Sequence, residues 1–441
     1  MDLTKGSILK GMIRFTIPII IIQFLSQAYA IIDNVVVARF VSEEALSVLS
    51  TVNSALTVGY CLIQGLGSAS TILVGNLFGA HAYEKLHTMT HTLLVGAGVV
   101  SLILFAVYSI GAAPIFAVLK VPAEILPACE KLMFLYALSL PPTLLCSACT
   151  AMLNGMGNSK TPMIISVCSK ILNIILDILA VAVLGFGVEG AAAASLTSVV
   201  VALVWTYHHL TRDLTQLNDA RPRAEFSCIG QYVPLAVPSI LQQSIMSVGS
   251  LMLQVLVNVA GIAYINGYNV ACTLNNLFLL PVISCCAGFE TFAAQNLGSK
   301  NEKRVKQGFL DLLGIGTLLC LVLSLSTFLF ARPLIGLYLT DEAGTAFTFA
   351  KQYLFLLIPN YLLLLAKYSV DSLFKAQMKI YLFTLSSLIA LGCRIALGYL
   401  MTPSMGLTAL AYATLIGNFI AAAFDWGCLF IKSRYNNSFS N

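Results

Sequence analysis

Charge is what this sequence has least of. Only 10% of its 441 residues are Asp, Glu, Lys or Arg, against roughly a quarter in soluble globular domains, and that scarcity excludes a soluble domain. The apolar stretches also lack the polar–apolar alternation of barrel strands, which excludes a transmembrane β-barrel. No small-residue cleavage pattern follows the first apolar stretch, so it is expected to remain as a span and not to leave as a signal peptide. Cysteine is not scarce, with twelve residues and a C-x-x-C at Cys146 and Cys149. What is missing is a second Cys or His pair near enough to complete four ligands. The cysteines are therefore read as small buried hydrophobes, the five histidines as solvated or interfacial, and neither a structural metal nor a cofactor is expected.

What remains is apolar, with 58% hydrophobic residues. A helix needs about 20 residues to cross the hydrocarbon. Twelve segments of that kind lie between polar breaks, at about 13–37, 46–75, 87–111, 125–152, 161–184, 188–210, 229–258, 264–295, 307–330, 350–374, 380–401 and 406–431. The expected fold is an all-α polytopic membrane protein. Residues 1–210 and 228–441 form two six-helix bundles, and a polar linker at 211–227 carries Arg212, Asp213, Asp219, Arg221 and Glu225.

The two halves are repeats. With the second half slid back by 219 positions, Gly79 falls on Gly298, Lys160 on Lys379 and Gly187 on Gly406, and Pro18 meets Pro238 at 220. Of the 24 Lys and Arg residues, sixteen fall on one set of loops, five on the other, and Lys170, Lys367 and Arg394 within spans. This bias places both termini in the cytoplasm. It also accounts for the net charge of +5, so no nucleic-acid partner is implied. Six spans per half make the repeats parallel, related by an axis along the membrane normal. Two related apolar halves are the signature of a secondary transporter whose substrate sits where the repeats meet.

A charge inside a span costs about 2.5 to 3.5 kcal/mol on insertion scales and is a functional hypothesis by default. Asp33 has no basic residue within a helical turn, and it is either a functional acid or a solvated one near the outer end of span one. Asn173 and Asp177 are four apart on span five and share a face. The short turn from Gly185 to Gly190 folds span six back and brings Ser195 alongside. Two carboxylates, an amide and a hydroxyl make a proton or cation site, with oxygens that suit H⁺ and Na⁺ equally. Lys170 lies about 10.5 Å below Asp177 along the helix, and side chains lean toward the helix N-terminus, so it is expected to snorkel toward the cytoplasm. Lys367 and Asp371, at i and i+4, are expected to neutralise one another. Arg394 is too deep to snorkel and should face a wet cavity or a partner. Glu290 and Asp425 are read as interfacial. The prolines at 18, 141, 142 and 238 serve either as simple kinks or as hinges.

These residues resemble the multidrug and toxic compound extrusion (MATE) transporters of the bacterial DinF-like branch, over the whole chain. The resemblance rests on Arg14-Phe15-Thr16-Ile17-Pro18, Tyr29 with Asp33, Gly157-Asn158-Ser159-Lys160-Thr161-Pro162, Asn173-Ile174-Ile175-Leu176-Asp177, Gly187-Val188-Glu189-Gly190-Ala191-Ala192 and Phe292-Ala293-Ala294-Gln295-Asn296-Leu297-Gly298. It implies two bundles around a central V-shaped cleft and export of amphipathic cations driven by inward H⁺ or Na⁺. Asp33, Asn173, Asp177 and Ser195 are the matching coupling residues, with Tyr29 and Arg394 assigned to the substrate cavity. Departures are also present. No acid stands between Leu241 and Val248, Asn154 replaces a usual arginine, and Ala376 and Met378 replace usual glycines, which favours coupling through the first half. The expected protein is a monomer in the bacterial plasma membrane, and not an enzyme. A flippase for lipid-linked saccharides is the alternative, disfavoured because only three basic residues lie within spans.

Overall fold

The computed structural model describes residues 2–40, 43–118, 121–122, 124–217, 224–339 and 341–438, with side chains described except at 30–40, 43–47, 118, 182 and 432–438. In chain order the helices are α1 (Ile8–Phe40), α2 (Glu43–Gly79), α3 (Tyr83–Ile110), α4 (Ala112–Val118), α5 (Leu126–Gly155), α6 (Lys160–Asp177), α7 (Gly187–Leu217), α8 (Ile229–Val259), α9 (Ile262–Gly298), α10 (Glu302–Gly336), α11 (Thr345–Leu356), α12 (Asn360–Ala376), α13 (Ile380–Met405) and α14 (Ala409–Ser438). A π-helical stretch, Ile178–Val183, extends α6. Large apolar side chains in mid-helix point outward, with Leu102, Val204, Leu318 and Phe419 all more than 60% exposed. Such a surface is stable only against lipid.

The duplication read in the sequence is present in the backbone. Both α2 and α9 have 37 residues, and their start and end points differ by the same 219 positions. At each end the chain turns through a non-glycine residue with positive φ, His81 (53°) and Lys300 (58°). The same closing bond follows, Ala82 N–H to Leu77 O at 3.1 Å and Asn301 N–H to Asn296 O at 2.8 Å. The turns at the opposite helix ends repeat too, through Gly187 (φ 59°) and Gly406 (φ 65°).

The counterpart of α5 is not a single rod. Pro359 separates α11 from α12, which meet at 50°, whereas α5 runs unbroken through Pro141 and Pro142. Among the described residues ten helical stretches are long and apolar enough to span, or eleven with this bent pair as one. The last of them, Ile380–Ile431, contains two helices, α13 and α14, that pack against one another. Separating them accounts for the twelve expected passages.

Two compact units emerge. The first comprises Met1–Thr4, Ile17–Ile240 and Gly298–Lys300. Its axis is α5, which packs on α2, α3 and α7, while α6 packs on α7. Small residues set these distances: a Cβ on Gly155 would meet Thr71 O at 2.8 Å. Thr71 Oγ1 ties the same contact by donating to Ala151 O at 3.1 Å. The start of α8 belongs here, with Tyr232 Oη donating to Leu66 O at 2.7 Å.

The second unit comprises Lys5–Thr16, Leu241–Leu297 and Asn301–Asn441. In it α14 packs on α13 and α12, and α10 packs on α12 and α11. Its core is aromatic. Tyr268 and Tyr353 meet edge to face at 5.4 Å, as do Tyr264 and Phe349 at 5.3 Å, and the buried Tyr361 hydroxyl is 3.0 Å from Thr327 Oγ1.

One repeated turn departs from its preferred chemistry. After α5 the chain reverses at Gly157, with φ 80°, and after α12 it does so at Met378, with φ 60°. The bonding matches, Asn158 N–H to Leu153 O and Lys379 N–H to Phe374 O, both at 2.8 Å. A side chain in this left-handed region costs about 1 to 2 kcal/mol, partly offset by glycine's greater freedom when unfolded. Met378→Gly is therefore expected to stabilise the protein by up to about 1 kcal/mol, read as a higher Tm in detergent, and Gly157→Met to lower it.

Candidate ion-binding site

The site begins with the two faces of α6. Ile171, Ile175 and Ile178 are 53%, 51% and 44% exposed, whereas Asn173 and Asp177 are 4% and 2% exposed. One stripe faces lipid and the other carries the polar pair inward. The π-helical stretch opens directly after Asp177, a distortion that frequently accompanies functional positions because it re-aims the residues beyond it.

Helix α7 supplies the opposing wall from a run of small residues. Gly190, Ala191, Ala192, Ala194 and Ser198 are buried, and a Cβ on Gly190 would lie 3.0 Å from both Ala180 Cβ and Phe186 Cβ. The close approach lets Asn173 Nδ2 donate to Ser195 Oγ at 3.3 Å. Toward the start of α6, Ser169 Oγ donates to Ser198 O at 2.9 Å and pins the same pair of helices. Asn173 Oδ1 is buried and has no hydrogen-bond partner among the described residues. Asn173, Asp177 and Ser195 thus form an oxygen-rich group in an apolar wall. The side chain of Asp33 lies outside the described residues.

Tyr29 joins this unit in an unexpected way. Lys170 is half-buried, and its ammonium lies 4.8 Å from the centroid of the Tyr29 ring. A cation over an aromatic face is worth about 0.5 to 2 kcal/mol, more as water is excluded. Helix direction alone favoured snorkelling; the ring of α1 supplies a nearer partner. Arg394 lies in the second unit, half-buried on α13, within electrostatic reach of Tyr353 and Tyr268. Its Nε has no hydrogen-bond partner among the described residues.

Lys367 and Asp371 do pair, Nζ to Oδ2 at 2.5 Å, and both are buried. Glu290 and Asp425, read as interfacial from their place along the helix, are enclosed by protein. They are 7% and 0% exposed, because Glu290 sits in a stretch of α9 whose every residue from Gly288 to Asn296 is buried, and Asp425 faces Ser386 across α13 and α14. Position along the helix suggested the interface. The dense run of small and aromatic neighbours around Glu290 was the signal for burial. All twelve cysteines are free thiols, and among the described residues no three His, Cys, Asp or Glu side chains converge to hold a metal.

Comparison with known proteins adds to this geometry. The chain is 24% identical over 350 residues to a probable multidrug resistance protein, YoeA, of Bacillus subtilis, covering 77% of this chain and 75% of that one. It is 23% identical over 348 residues to an FAD transporter of Shewanella oneidensis, covering 77% and 76%. The fold matches the outward-facing structure of a multidrug resistance MATE family transporter with a TM-score of 0.90, at 20% identity over 98% of both chains. The MatE family model matches twice, at residues 18–179 and 238–400, once in each half of the duplication. The chain therefore belongs to the MatE family of multidrug and toxic compound extrusion proteins, which are membrane transporters and not enzymes.

Proposed function

We propose that the chain is a secondary antiporter of a bacterial plasma membrane. It exports amphipathic, mostly cationic drugs or metabolites in exchange for inward H⁺ or Na⁺, as a monomer with both termini in the cytoplasm and no cofactor beyond the coupling ion. The observation that carries this reading is the group on α6 and α7 of buried Asn173 and Asp177 with half-buried Ser195. A carboxylate in such surroundings is costly unless neutralised, and a proton or Na⁺ neutralises it equally well. A cationic substrate competes for the same negative charge. Loading the coupling ion then weakens the substrate, and loading the substrate weakens the ion, by the same factor. That reciprocity is what an antiporter needs. Asp33 is proposed as the second acid of the group, and Tyr29 and Arg394 as residues that contact the substrate.

The contact between Lys170 and Tyr29 favours a second substrate class. A half-buried ammonium beside an aromatic ring suits an aromatic anion, and one relative is named as an FAD transporter. The two classes differ in sign of charge and are separable in one assay.

Everted vesicles carrying the protein should accumulate ethidium or a fluoroquinolone when a pH gradient or a Na⁺ gradient is imposed separately, and the active gradient names the ion. Asp177→Asn and Asp33→Asn should abolish that uptake while inserting normally, because the amide keeps the shape and cannot titrate. Normal uptake by either variant removes that residue from the coupling group.

With H⁺ as the ion, affinity for a cationic substrate should rise between about pH 6 and about pH 8 in Na⁺-free buffer, since the deprotonated acid is the form that attracts it. Binding to the purified protein checks the sign. Lys170→Gln should leave cation export nearly intact. For a flavin nucleotide offered as the anionic probe, it should weaken binding about tenfold or more, the scale of a lost charge-assisted hydrogen bond.

A further inference from the structure

The second unit holds more buried acid than base. Lys367, Asp371, Asp425 and Glu290 are 3%, 2%, 0% and 7% exposed, and Lys375 joins them from the end of α12. Two ion pairs account for four of the five: Lys367 with Asp371 at 2.5 Å and Lys375 with Glu290 at 3.3 Å. Asp425 is the acid left over. Its Oδ2 accepts from Ser386 Oγ at 2.7 Å, and its Oδ1 has no hydrogen-bond partner among the described residues. No ion pair among those residues includes it.

The groups facing Asp425 are Asp371 and Lys367 of α12 and Cys428 of its own helix, with Ser386 from α13. Behind them, Glu290 and Cys286 of α9 and Tyr368 and Lys375 of α12 stand around Asp371, with Arg394 of α13 reaching the far side of the cluster at Tyr368. Among the described residues Lys367 is the one cation that faces Asp425 itself, and it is already engaged by Asp371.

Folding does not require this cluster. At the matching positions of the first half, 219 residues earlier for α9 and α14 and 221 earlier for the end of α12, Glu290 becomes Thr71, Lys367 becomes Cys146, Asp371 becomes Thr150 and Asp425 becomes Thr206. There the scaffold closes with neutral bonds, Thr71 Oγ1 to Ala151 O at 3.1 Å and Thr206 Oγ1 to Ala202 O at 2.7 Å. Charge was added to one half of a duplicated frame, with an imbalance of one.

We propose that Asp425 is a proton-binding site of the second unit, holding one proton that balances the third acid against Lys367 and Lys375. With the proton on Asp425 the cluster is neutral and Lys367 stays on Asp371. When the carboxyl releases its proton to water, the carboxylate left behind competes with Asp371 for Lys367, which pulls α12 and α14 into a different bonding arrangement. The site deepens the antiporter reading by giving the coupling proton a second place to load, and it rests on that reading only for its role in transport.

The test is infrared difference spectroscopy between acidic and alkaline buffer on the purified full chain in nanodiscs. Wild type should show the carbonyl stretch of a protonated carboxylic acid, with a component that Asp425→Asn removes and Asp177→Asn leaves in place. Ser386→Ala should shift that component by removing its hydrogen bond. A spectrum unchanged by Asp425→Asn overturns the proposal.

Thermal melting gives an independent readout. Asp425→Asn mimics the protonated acid and should melt with wild type at neutral pH, whereas Asp371→Asn strips Lys367 of its partner and should melt lower by about 5 °C or more. A loss in Asp425→Asn as large as in Asp371→Asn would show a carboxylate paired in the fold, and the proposal fails. Neither measurement depends on export. An intact Asp425 signal beside gradient-independent export would reject the antiporter reading alone, and a missing signal beside gradient-driven export would reject this site alone.

Discussion

A peptide group in hydrocarbon has no water to bond with, and this governs the rest of the molecule. Each amide must find its carbonyl within its own helix. That is why the chain resolves into long helices joined by short reversals, and why its few irregular stretches are informative. Irregular backbone persists at membrane depth only where neighbouring protein or a wet cavity satisfies it. The π-helical stretch after Asp177 and the break at Pro359 both meet this condition from within a packed unit. Polar side chains obey the same rule at greater cost. Asn173 turns to Ser195, Ser386 to Asp425, and Lys367 to Asp371, each finding a partner on a neighbouring turn or helix.

Much of the architecture was legible because hydropathy and repetition are strong signals. Segment length read out the spans, and the offset of 219 read out the duplication down to the turns at His81 and Lys300. The hairpin that carries Ser195 to Asn173 followed from the four-residue spacing and a glycine-rich turn. What was missed was the set of neighbours on other helices. Lys170 was sent toward the cytoplasm by a rule about one helix, but the partner that holds it, Tyr29, is on another. Glu290 and Asp425 were judged by their distance from a helix end, although burial depends on how many helices surround that end. Single-helix reasoning cannot see either effect.

Comparison of the halves recovers part of what was missed. Positions that hold Thr71, Cys146, Thr150 and Thr206 in one half hold an acid, a lysine and two further acids in the other. The frame tolerates both sets. Neutral residues give the simpler packing, since buried ion pairs seldom contribute more to stability than well-packed apolar groups. The retained charges are better explained by chemistry than by folding.

The π-helical stretch has a geometric consequence of its own. Hydrogen bonds there skip one residue further than in an α-helix, as Leu184 N–H to Leu179 O at 2.9 Å illustrates. Reverting that turn to α would screw everything beyond it by about 100° and advance it by about 1.5 Å. Asp177 stands at the threshold of this thread. Past it lie Gly185 and Gly187, both at positive φ, where glycine makes a change of backbone direction least costly. A change in what Asp177 holds would be passed to the backbone beyond it as that rotation of little more than a quarter-turn, which would re-aim the side chains that follow Asp177.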